Sequence, residues 1–447
     1  MRKSIKYSKR WTLAVLTVFS ISLYAASAAA ELRTFVKEYT YRASKADNKE
    51  SSHIIAVHAV KKLLLEALAA DLEGVTKVSG LPLAKDEIAL LSGGIVKIDV
   101  QGERWSDRAY WVKAKVAADP DEFIKRIDAL WKDQEKASEL KRISARSDEL
   151  LRENEGLRKE FVAAKGKKKL SVKAAYDQTI KEIRTIDLYE KGFANINLGM
   201  YDQAIQDLTM AIQLNPKDVG PYYSRGLAYA KLRRYPQAIQ DYDRVIELDP
   251  KFEAAYVQRG FTFFNMGKRD QAAEDFNRAI ALQPKLAAAY NGRGVVKASS
   301  GNFDEAIREY NKAIELASGY EAAYINRGLA KYNLGRYGQA LEDFERVIGL
   351  DPDLTMAHVY RGLANYNLGK YDQAIEDYNR AIKLDSEQAV AYYNLARIYS
   401  LRDNYEKAIH NLGTAIKINP DIKNMAKKEN DFARIREQSE FTKLIGQ

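Results

Sequence analysis

Basic and acidic side chains recur along this sequence at a fixed separation of 16 residues. The matched pairs are Arg225 with Asp241, Arg259 with Asp275, Arg327 with Asp343 and Arg361 with Asp377, and the variants are Lys191 with Asp207 and Arg293 with Glu309. Both members are lost together further on, as Leu395 and Asn411. Because a guanidinium can form a forked bond to a carboxylate, we predict structural ion pairs. The alternative is a row of basic ligand-binding residues, which the joint loss disfavours.

Residue types that typify catalytic and metal sites are scarce. The chain has no cysteine, and no two of its four histidines (His53, His58, His358 and His410) have the four-residue spacing of a helical metal pair. The sequence contains no glycine-rich phosphate loop and no Gly-x-Ser-x-Gly elbow. We therefore predict that the protein is not an enzyme and uses no metal and no cofactor. The alternative is an enzyme whose site lies in residues 31–130.

Another recurring feature is an asparagine that follows a large apolar residue. The series consists of Ile196-Asn197, Phe264-Asn265, Tyr332-Asn333 and Tyr366-Asn367. An amide can hydrogen-bond a peptide backbone, and a flat ring beside it can pack on an extended chain. The predicted ligand contacts are therefore Asn197, Phe264, Asn265, Tyr332, Asn333, Tyr366 and Asn367. The alternative is that asparagine is simply common at exposed helix ends before a turn glycine.

These series share one period of 34 residues with an alanine series that has no gap. Its members are Ala204, Ala238, Ala272, Ala306, Ala340, Ala374 and Ala408. A period of this length indicates stacked pairs of helices, because a single pair (helix A and helix B) cannot bury its apolar face alone. We predict seven repeats, at 185–218, 219–252, 253–286, 287–320, 321–354, 355–388 and 389–422. Residues 423–447 should form helices that cap the last repeat.

The repeat resembles the tetratricopeptide repeat (TPR). The small and aromatic positions of that family are occupied here by Gly362, Gly369, Tyr371, Ala374, Tyr378 and Ala381. The resemblance covers residues 185–422 and implies a mainly α superhelix, an α-solenoid, whose A helices line a groove for an extended peptide or a partner's helix. Some intracellular relatives hold a C-terminal carboxylate with a clamp on helix A. The clamp's asparagine position holds Phe193, Leu227, Phe261, Val295, Leu329, Leu363 and Arg397, so the clamp is absent.

Residues 31–130 alternate between strand and helix patterns. We predict strands at 33–43, 95–100 and 109–117, helices at about 51–72 and 85–91, and a further helix from Asp119-Pro120 onwards. A polar loop at 102–108 should join the last two strands. The order indicates a small α+β domain. It resembles small domains near the N-termini of bacterial envelope proteins, such as the flagellar assembly protein T.

Residues 131–184 are expected to form a helical connector. Three- and four-residue steps run through Leu140, Ile143, Ser147, Leu150, Asn154, Leu157 and Phe161. This seam predicts either a coiled coil, with weak self-association through 140–161, or a connector packed against its neighbours. The lysines at 165–169 interrupt the helix. We interpret them as a solvated linker, with contact to an anionic lipid or polymer as the alternative.

The first thirty residues have the pattern of a signal peptide. A basic start precedes an apolar run from Trp11 to Tyr24, and small residues allow cleavage after Ala30. We expect export across the inner membrane to the periplasm; an uncleaved anchor is the alternative. Without this segment, 66 of the 71 Lys and Arg residues remain against 61 acidic ones. So small an excess of positive charge argues against a nucleic-acid partner.

These observations together predict an exported scaffold or adaptor that binds a partner protein or an extended peptide in the groove. Peripheral association with the envelope fits the same prediction. The alternative function is an accessory TPR component of an envelope polysaccharide export or assembly machine.

Overall fold

The computed structural model describes residues 32–78 and 83–446. The predicted signal peptide at 1–30, with Ala30, lies outside the described residues. The chain forms two compact units, Met1–Asp249 and Pro250–Gln447, and each is described by itself. Among the described residues, no helix combines the length and the apolar character that crossing a bilayer requires.

The N-terminal unit begins with a three-stranded antiparallel sheet of order β1-β3-β2. Its elements are β1 (Arg33–Arg42), α1 (Lys49–Val78), α2 (Lys85–Gly93), β2 (Asp99–Ser106), β3 (Ala109–Ala118), α3 (Pro120–Lys132), α4 (Gln134–Ala163), α5 (Gly166–Asn197), α6 (Tyr201–Leu214), α7 (Val219–Lys231) and α8 (Tyr235–Leu248). Alternate residues of β3, such as Val112 and Ala114, are buried with Val60 and Leu64 of α1. One face of the sheet is therefore closed by α1.

The hairpin between β2 and β3 differs from its prediction. The predicted strand at 95–100 and loop at 102–108 are wrong, because β2 spans Asp99–Ser106 and pairs with β3 up to Ser106 opposite Ala109. The turn contains only Asp107 and Arg108, with φ angles of 46° and 57°, as a two-residue hairpin turn requires. The strand was missed because β2 is an edge strand with mostly exposed residues, so it lacks apolar alternation.

The predicted seam on α4 is buried within its own unit. Leu140 and Ile143 belong to a cluster with residues of α1, α2 and α3, while Leu150 and Phe161 belong to a cluster with residues of α5. The proposed self-association through 140–161 is therefore wrong, because the apolar side chains it needs are already covered. The connector packs against its neighbours instead.

Helix α5 belongs to both the connector and the first repeat. It runs without a break from Gly166 to Asn197, so the predicted boundary at 184 falls inside one helix. Its last turns supply Tyr189 and Phe193 to a hydrophobic cluster that also contains Leu130 of α3 and Leu140 of α4. The α+β region, the connector and the first repeat consequently share one core.

The C-terminal unit is an array of helical pairs. The pairs are α9 (Glu253–Asn265) with α10 (Arg269–Leu282), α11 (Ala287–Ser299) with α12 (Phe303–Leu316), α13 (Glu321–Asn333) with α14 (Tyr337–Leu350), α15 (Thr355–Asn367) with α16 (Tyr371–Leu384), and α17 (Ala389–Leu401) with α18 (Tyr405–Ile418). The cap consists of α19 (Ile422–Lys428), a 3-10 helix (Asn430–Ile435) and α20 (Ser439–Ile445). A mainly α solenoid preceded by a small sheet is thus confirmed.

Close approach of the two helices explains the glycine of each repeat. A Cβ atom on Gly362 would lie 2.7 Å from the ring of Tyr378, and one on Gly328 would lie 2.6 Å from the ring of Phe344. Real Cβ atoms do not approach other atoms so closely, so any larger residue would push the ring out of the core. In the seventh repeat Ala396 takes this place, and the opposite residue is the aliphatic Leu412 rather than a ring.

Candidate binding surface on the A helices

One face of the A helices in the C-terminal unit carries the predicted ligand contacts. We call this face the A surface; its members are Phe261, Phe264, Asn265, Val295, Leu329, Tyr332, Asn333, Leu363, Tyr366 and Asn367. In α9, α13 and α15 the aromatic residue and the asparagine lie three and four residues after the first member, so these positions point to the same side. The aromatic and aliphatic members are partly exposed, and the asparagines are exposed. Phe264, Asn265, Tyr332 and Asn333 therefore remain accessible.

Two of the three asparagines on the A surface, Asn333 and Asn367, donate hydrogen bonds from their amide nitrogens within the protein. Asn333 donates from Nδ2 to the carbonyl of Leu329 at 2.8 Å, and Asn367 donates to the carbonyl of Leu363 at 2.9 Å. Asn367 Nδ2 also lies 2.8 Å from the hydroxyl of Tyr332, which joins two repeats. Their Oδ1 atoms have no donor in the part of the chain that the structure describes. Each of these two oxygen atoms can therefore accept a further hydrogen bond.

Each tyrosine on the A surface rests on another tyrosine at the start of the following helix B. The rings of Tyr332 and Tyr337 are 5.2 Å apart, and those of Tyr366 and Tyr371 are 5.6 Å apart. Burial raises the pKa of Tyr332, so its hydroxyl is neutral at physiological pH. Contact with a second ring restricts the side-chain rotamers of Tyr332 and Tyr366, so contacts made through these rings would cost less conformational entropy.

The cap covers the A surface at the last repeats. Arg397 places Nε 2.8 Å from Asp431 and 3.3 Å from Glu429, and its guanidinium lies 4.4 Å from the ring centre of Tyr366. Tyr366 donates to Asp431, and Tyr393 donates to Glu429 at 3.2 Å. Burial, then the bond to Asp431, raises the pKa of Tyr366. The predicted contact Tyr366 is therefore already engaged by the chain's own acidic segment.

Sequence reasoning did not connect Arg397 with this acidic segment. Arg397 stands at a helix A position that is apolar in every other repeat, and Glu429 and Asp431 lie in the cap. A charged residue at this otherwise apolar position was the one sequence feature that could have indicated a contact with an acidic segment. Beside it, Phe432 and Ile435 are completely buried, so the acidic pair is anchored by an apolar contact.

The predicted contact Asn197 does not lie on an open surface. Its Nδ2 donates to the carbonyl of Gly94 at 2.9 Å, which fastens the end of α5 to the segment after α2. The neighbouring A-helix residues Tyr189 and Phe193 are buried under the N-terminal region. The assignment of Asn197 as a ligand contact is therefore corrected to a structural one.

The predicted ion pairs are formed at short distances. The nitrogen-to-oxygen distances are 2.7 Å for Arg225 with Asp241, 2.7 Å for Arg259 with Asp275, 2.6 Å for Arg327 with Asp343 and 2.5 Å for Arg361 with Asp377. The four aspartate side chains are only 3–6% exposed. Burial raises the pKa of Asp241 although Arg225 opposes it, so desolvation offsets much of the attraction.

Arg225, Arg293 and Arg327 also reach the preceding repeat, which the sequence reasoning missed. Arg293 donates from Nη1 to Asn277 at 3.0 Å, and Arg327 donates to Asn311 at 2.6 Å. In the N-terminal unit Arg225 donates to Thr209 at 2.9 Å. Each acceptor stands 16 residues before its arginine, so the signal was a polar residue at that second offset. Each of these arginines therefore joins helix B of its own repeat to helix B of the preceding repeat. They do not form a row of basic residues on the A surface.

His358 and His53 occupy structural positions. His358 Nε2 lies 2.9 Å from the carbonyl of Pro352, which matches the bond of Tyr290 to Pro284 in another repeat. In the N-terminal unit His53 lies 2.9 Å from the hydroxyl of Tyr110. Within residues 32–78 and 83–446, no three His, Cys, Asp or Glu side chains come together as a metal site would require.

Comparison with known families agrees with the repeat geometry. Tetratricopeptide repeat models match residues 221–252, 258–321, 325–389 and 389–422, and a TPR repeat model matches residues 195–232. The chain is a tetratricopeptide repeat protein. No match was found among the curated proteins.

Solved structures similar to this TPR protein cover parts of it. MamA is 26% identical over 37% of this chain and 96% of its own, with a TM-score of 0.33. YrrB, described as a TPR protein with an unusual peptide-binding site, is 22% identical over 42% of this chain and 96% of its own, with a TM-score of 0.33. The Cut9–Hcn1 hetero-tetramer of the APC/C is 19% identical over 67% of this chain and 57% of its own, with a TM-score of 0.48.

Proposed function

We propose that the A surface of the third to fifth repeats binds an extended segment of a partner protein. TPR arrays are protein–protein interaction scaffolds, and this surface is where the chain leaves its A helices uncovered. In the C-terminal unit the cap covers Tyr393 and engages Tyr366. In the N-terminal unit α2 and its neighbours cover Tyr189. The observation that carries the proposal is that Phe264 and Tyr332, unlike these covered residues, remain partly exposed.

The chemistry of the A surface indicates what kind of segment fits. Phe261, Phe264 and Tyr332 offer ring faces for apolar side chains, and the asparagine Oδ1 atoms accept from backbone N–H groups. Lys331, the cation next to Tyr332 in sequence, already forms an ion pair with Asp343 at 2.9 Å. We therefore expect an extended, apolar or aromatic segment rather than a carboxylate terminus.

Photo-crosslinking in cells tests this proposal. A photoreactive residue is placed at Phe264 or Asn333, and the matched control carries it at Glu342, an exposed residue of helix B. We expect one protein to be captured from the two A-surface positions and not from the control. Tyr332→Ala should weaken binding of the captured segment about 10-fold, as for a buried aromatic anchor. Equal capture from all three positions would contradict the proposal.

We also propose that the scaffold acts outside the inner membrane. The support is the pattern of residues 1–30: a basic start, an apolar run and small residues before Glu31. Intact mass of the protein from cells should correspond to a chain that begins at Glu31. Recovery of a chain that still begins at Met1 in the soluble cytoplasmic fraction would refute export.

A further inference from the structure

We infer that the turn between α4 and α5 is a docking surface for an anionic lipid bilayer. We call residues 158–173 the basic tip. It contains seven basic residues and one acidic residue, Glu160; the basic ones are Arg158, Lys159, Lys165, Lys167, Lys168, Lys169 and Lys173. Because the whole chain without its first thirty residues has nearly balanced charge, this cluster is a strong local excess.

Two aliphatic side chains are exposed among these lysines. Val162 is 60% exposed and Leu170 is 74% exposed, on either side of the turn. Isolated exposed aliphatic residues are normal on protein surfaces. A pair of them flanked by lysines has the composition of an interfacial segment, in which apolar side chains enter the headgroup boundary and lysines stay at the level of the phosphates.

The charge of the basic tip is only partly neutralised inside the protein. Arg158, Lys159 and Lys173 have the acidic partners Asp47, Glu155 and Asp177. Lys165 and Lys167 form no ion pair with any residue that the structure describes, and Lys168 pairs with Glu160 at 3.0 Å while remaining 69% exposed. The exposed Lys45, before α1, and the exposed Lys49, its first residue, also lack an ion pair with the described residues.

The turn that carries Lys45 is fixed to the basic tip. Arg158 donates from Nη1 to the hydroxyl of Tyr41 at 2.7 Å. Tyr176 of α5 donates to the buried Asp47, two residues after Lys45. Ala46 is buried in the same cluster as Phe161 and Ala164, so the turn before α1 packs against the turn that carries the basic tip.

Folding alone does not explain lysines at this place. The first turn of α5 contains Lys167, Lys168 and Lys169 and no acidic residue, and Lys165 makes no side-chain cap. The N-terminus of a helix is already positive, so cations there oppose helix formation and strengthen attraction for an anion. A soluble polyanion would use the lysines but not Val162 and Leu170, which is why we assign a lipid surface.

Vesicle binding of residues 31–447 tests this inference. The first thirty residues are left out because their apolar run would itself bind lipid. We expect binding to vesicles of phosphatidylglycerol and phosphatidylcholine, and loss of binding on pure phosphatidylcholine or in 0.5 M salt. Each lysine near an anionic surface contributes about five-fold to the partition coefficient. Lys45→Glu, Lys165→Glu and Lys167→Glu together should therefore lower it at least about 100-fold.

The matched control reverses Lys285, Lys383 and Lys417, which are exposed in the C-terminal unit and change the net charge equally. Equal losses in the two triple variants would overturn the inference, because they would show an effect of total charge. Insertion is measured with the variant Leu170→Trp. Brominated lipid should quench the tryptophan fluorescence of this variant more strongly than that of the parent protein. Absence of that quenching, with full competition by heparin, would show a soluble polyanion site and would also overturn it.

Discussion

Removing one arginine of an ion pair should cost stability according to what else its aspartate contacts. In Arg361→Leu the carboxylate of Asp377, 3% exposed, keeps only the amide of Asn365, at 3.0 Å, among the residues that the structure describes. An uncompensated buried charge of this kind costs about 3 kcal/mol. In Arg327→Leu the aspartate Asp343 keeps a second cation, because Lys331 lies 2.9 Å away. We therefore expect a smaller loss there, about 1 kcal/mol.

The seventh repeat suggests the double variant that completes this test. It carries Leu395 and Asn411 at the two positions, so Arg361→Leu with Asp377→Asn copies a combination that the fold already contains. Since the buried charge is then absent, the unfolding free energy of the double variant should lie within about 1 kcal/mol of the parent's value. Urea unfolding, with hydrogen exchange to resolve α15 and α16, measures both quantities. Equal losses in the two single variants, or a double variant worse than Arg361→Leu, would refute the reasoning.

Further predictions concern packing, a buried amide and pH. Gly362→Ala should cost about 1–3 kcal/mol in unfolding free energy because its Cβ meets a ring, whereas Gly349→Ala, with nothing within 4 Å, should gain up to about 1 kcal/mol. Asn197→Ala should lose about 1 kcal/mol and speed hydrogen exchange in α2. Burial, then Glu103, raises the pKa of Tyr110 to about 12. Because this pKa is raised, the stability that the neutral Tyr110 hydroxyl contributes to the fold is present below pH 10 and lost as pH rises through 12. An ultraviolet titration should show that Glu103→Gln lowers the pKa of Tyr110.

The features that repeat were the ones predictable from sequence. A 34-residue period fixes which residues meet across a helical pair, so Arg225 could be matched with Asp241 from spacing alone. The second contact made by Arg225, Arg293 and Arg327 has its own fixed offset and was readable too.

Features outside the period were not predictable in the same way. Whether Asn197 faces a ligand or the loop at Gly94 depends on where a separate region packs, and no local pattern encodes that. The contact of Arg397 with Asp431 likewise joins a repeat to a segment outside the array. Strand β2 was misplaced because an edge strand does not need the apolar alternation that reveals a central one.

The unbroken α5 has a mechanical consequence. It contains 32 residues, so it is a rigid rod of about 48 Å with Leu170 near one end and the first repeat at the other. If the basic tip rests on a lipid surface, the length of α5 determines how far the first repeat can lie from that surface. A truncation at residue 185 would cut the rod and expose Tyr189 and Phe193, so a shortened scaffold should either retain α5 complete or omit the first repeat altogether.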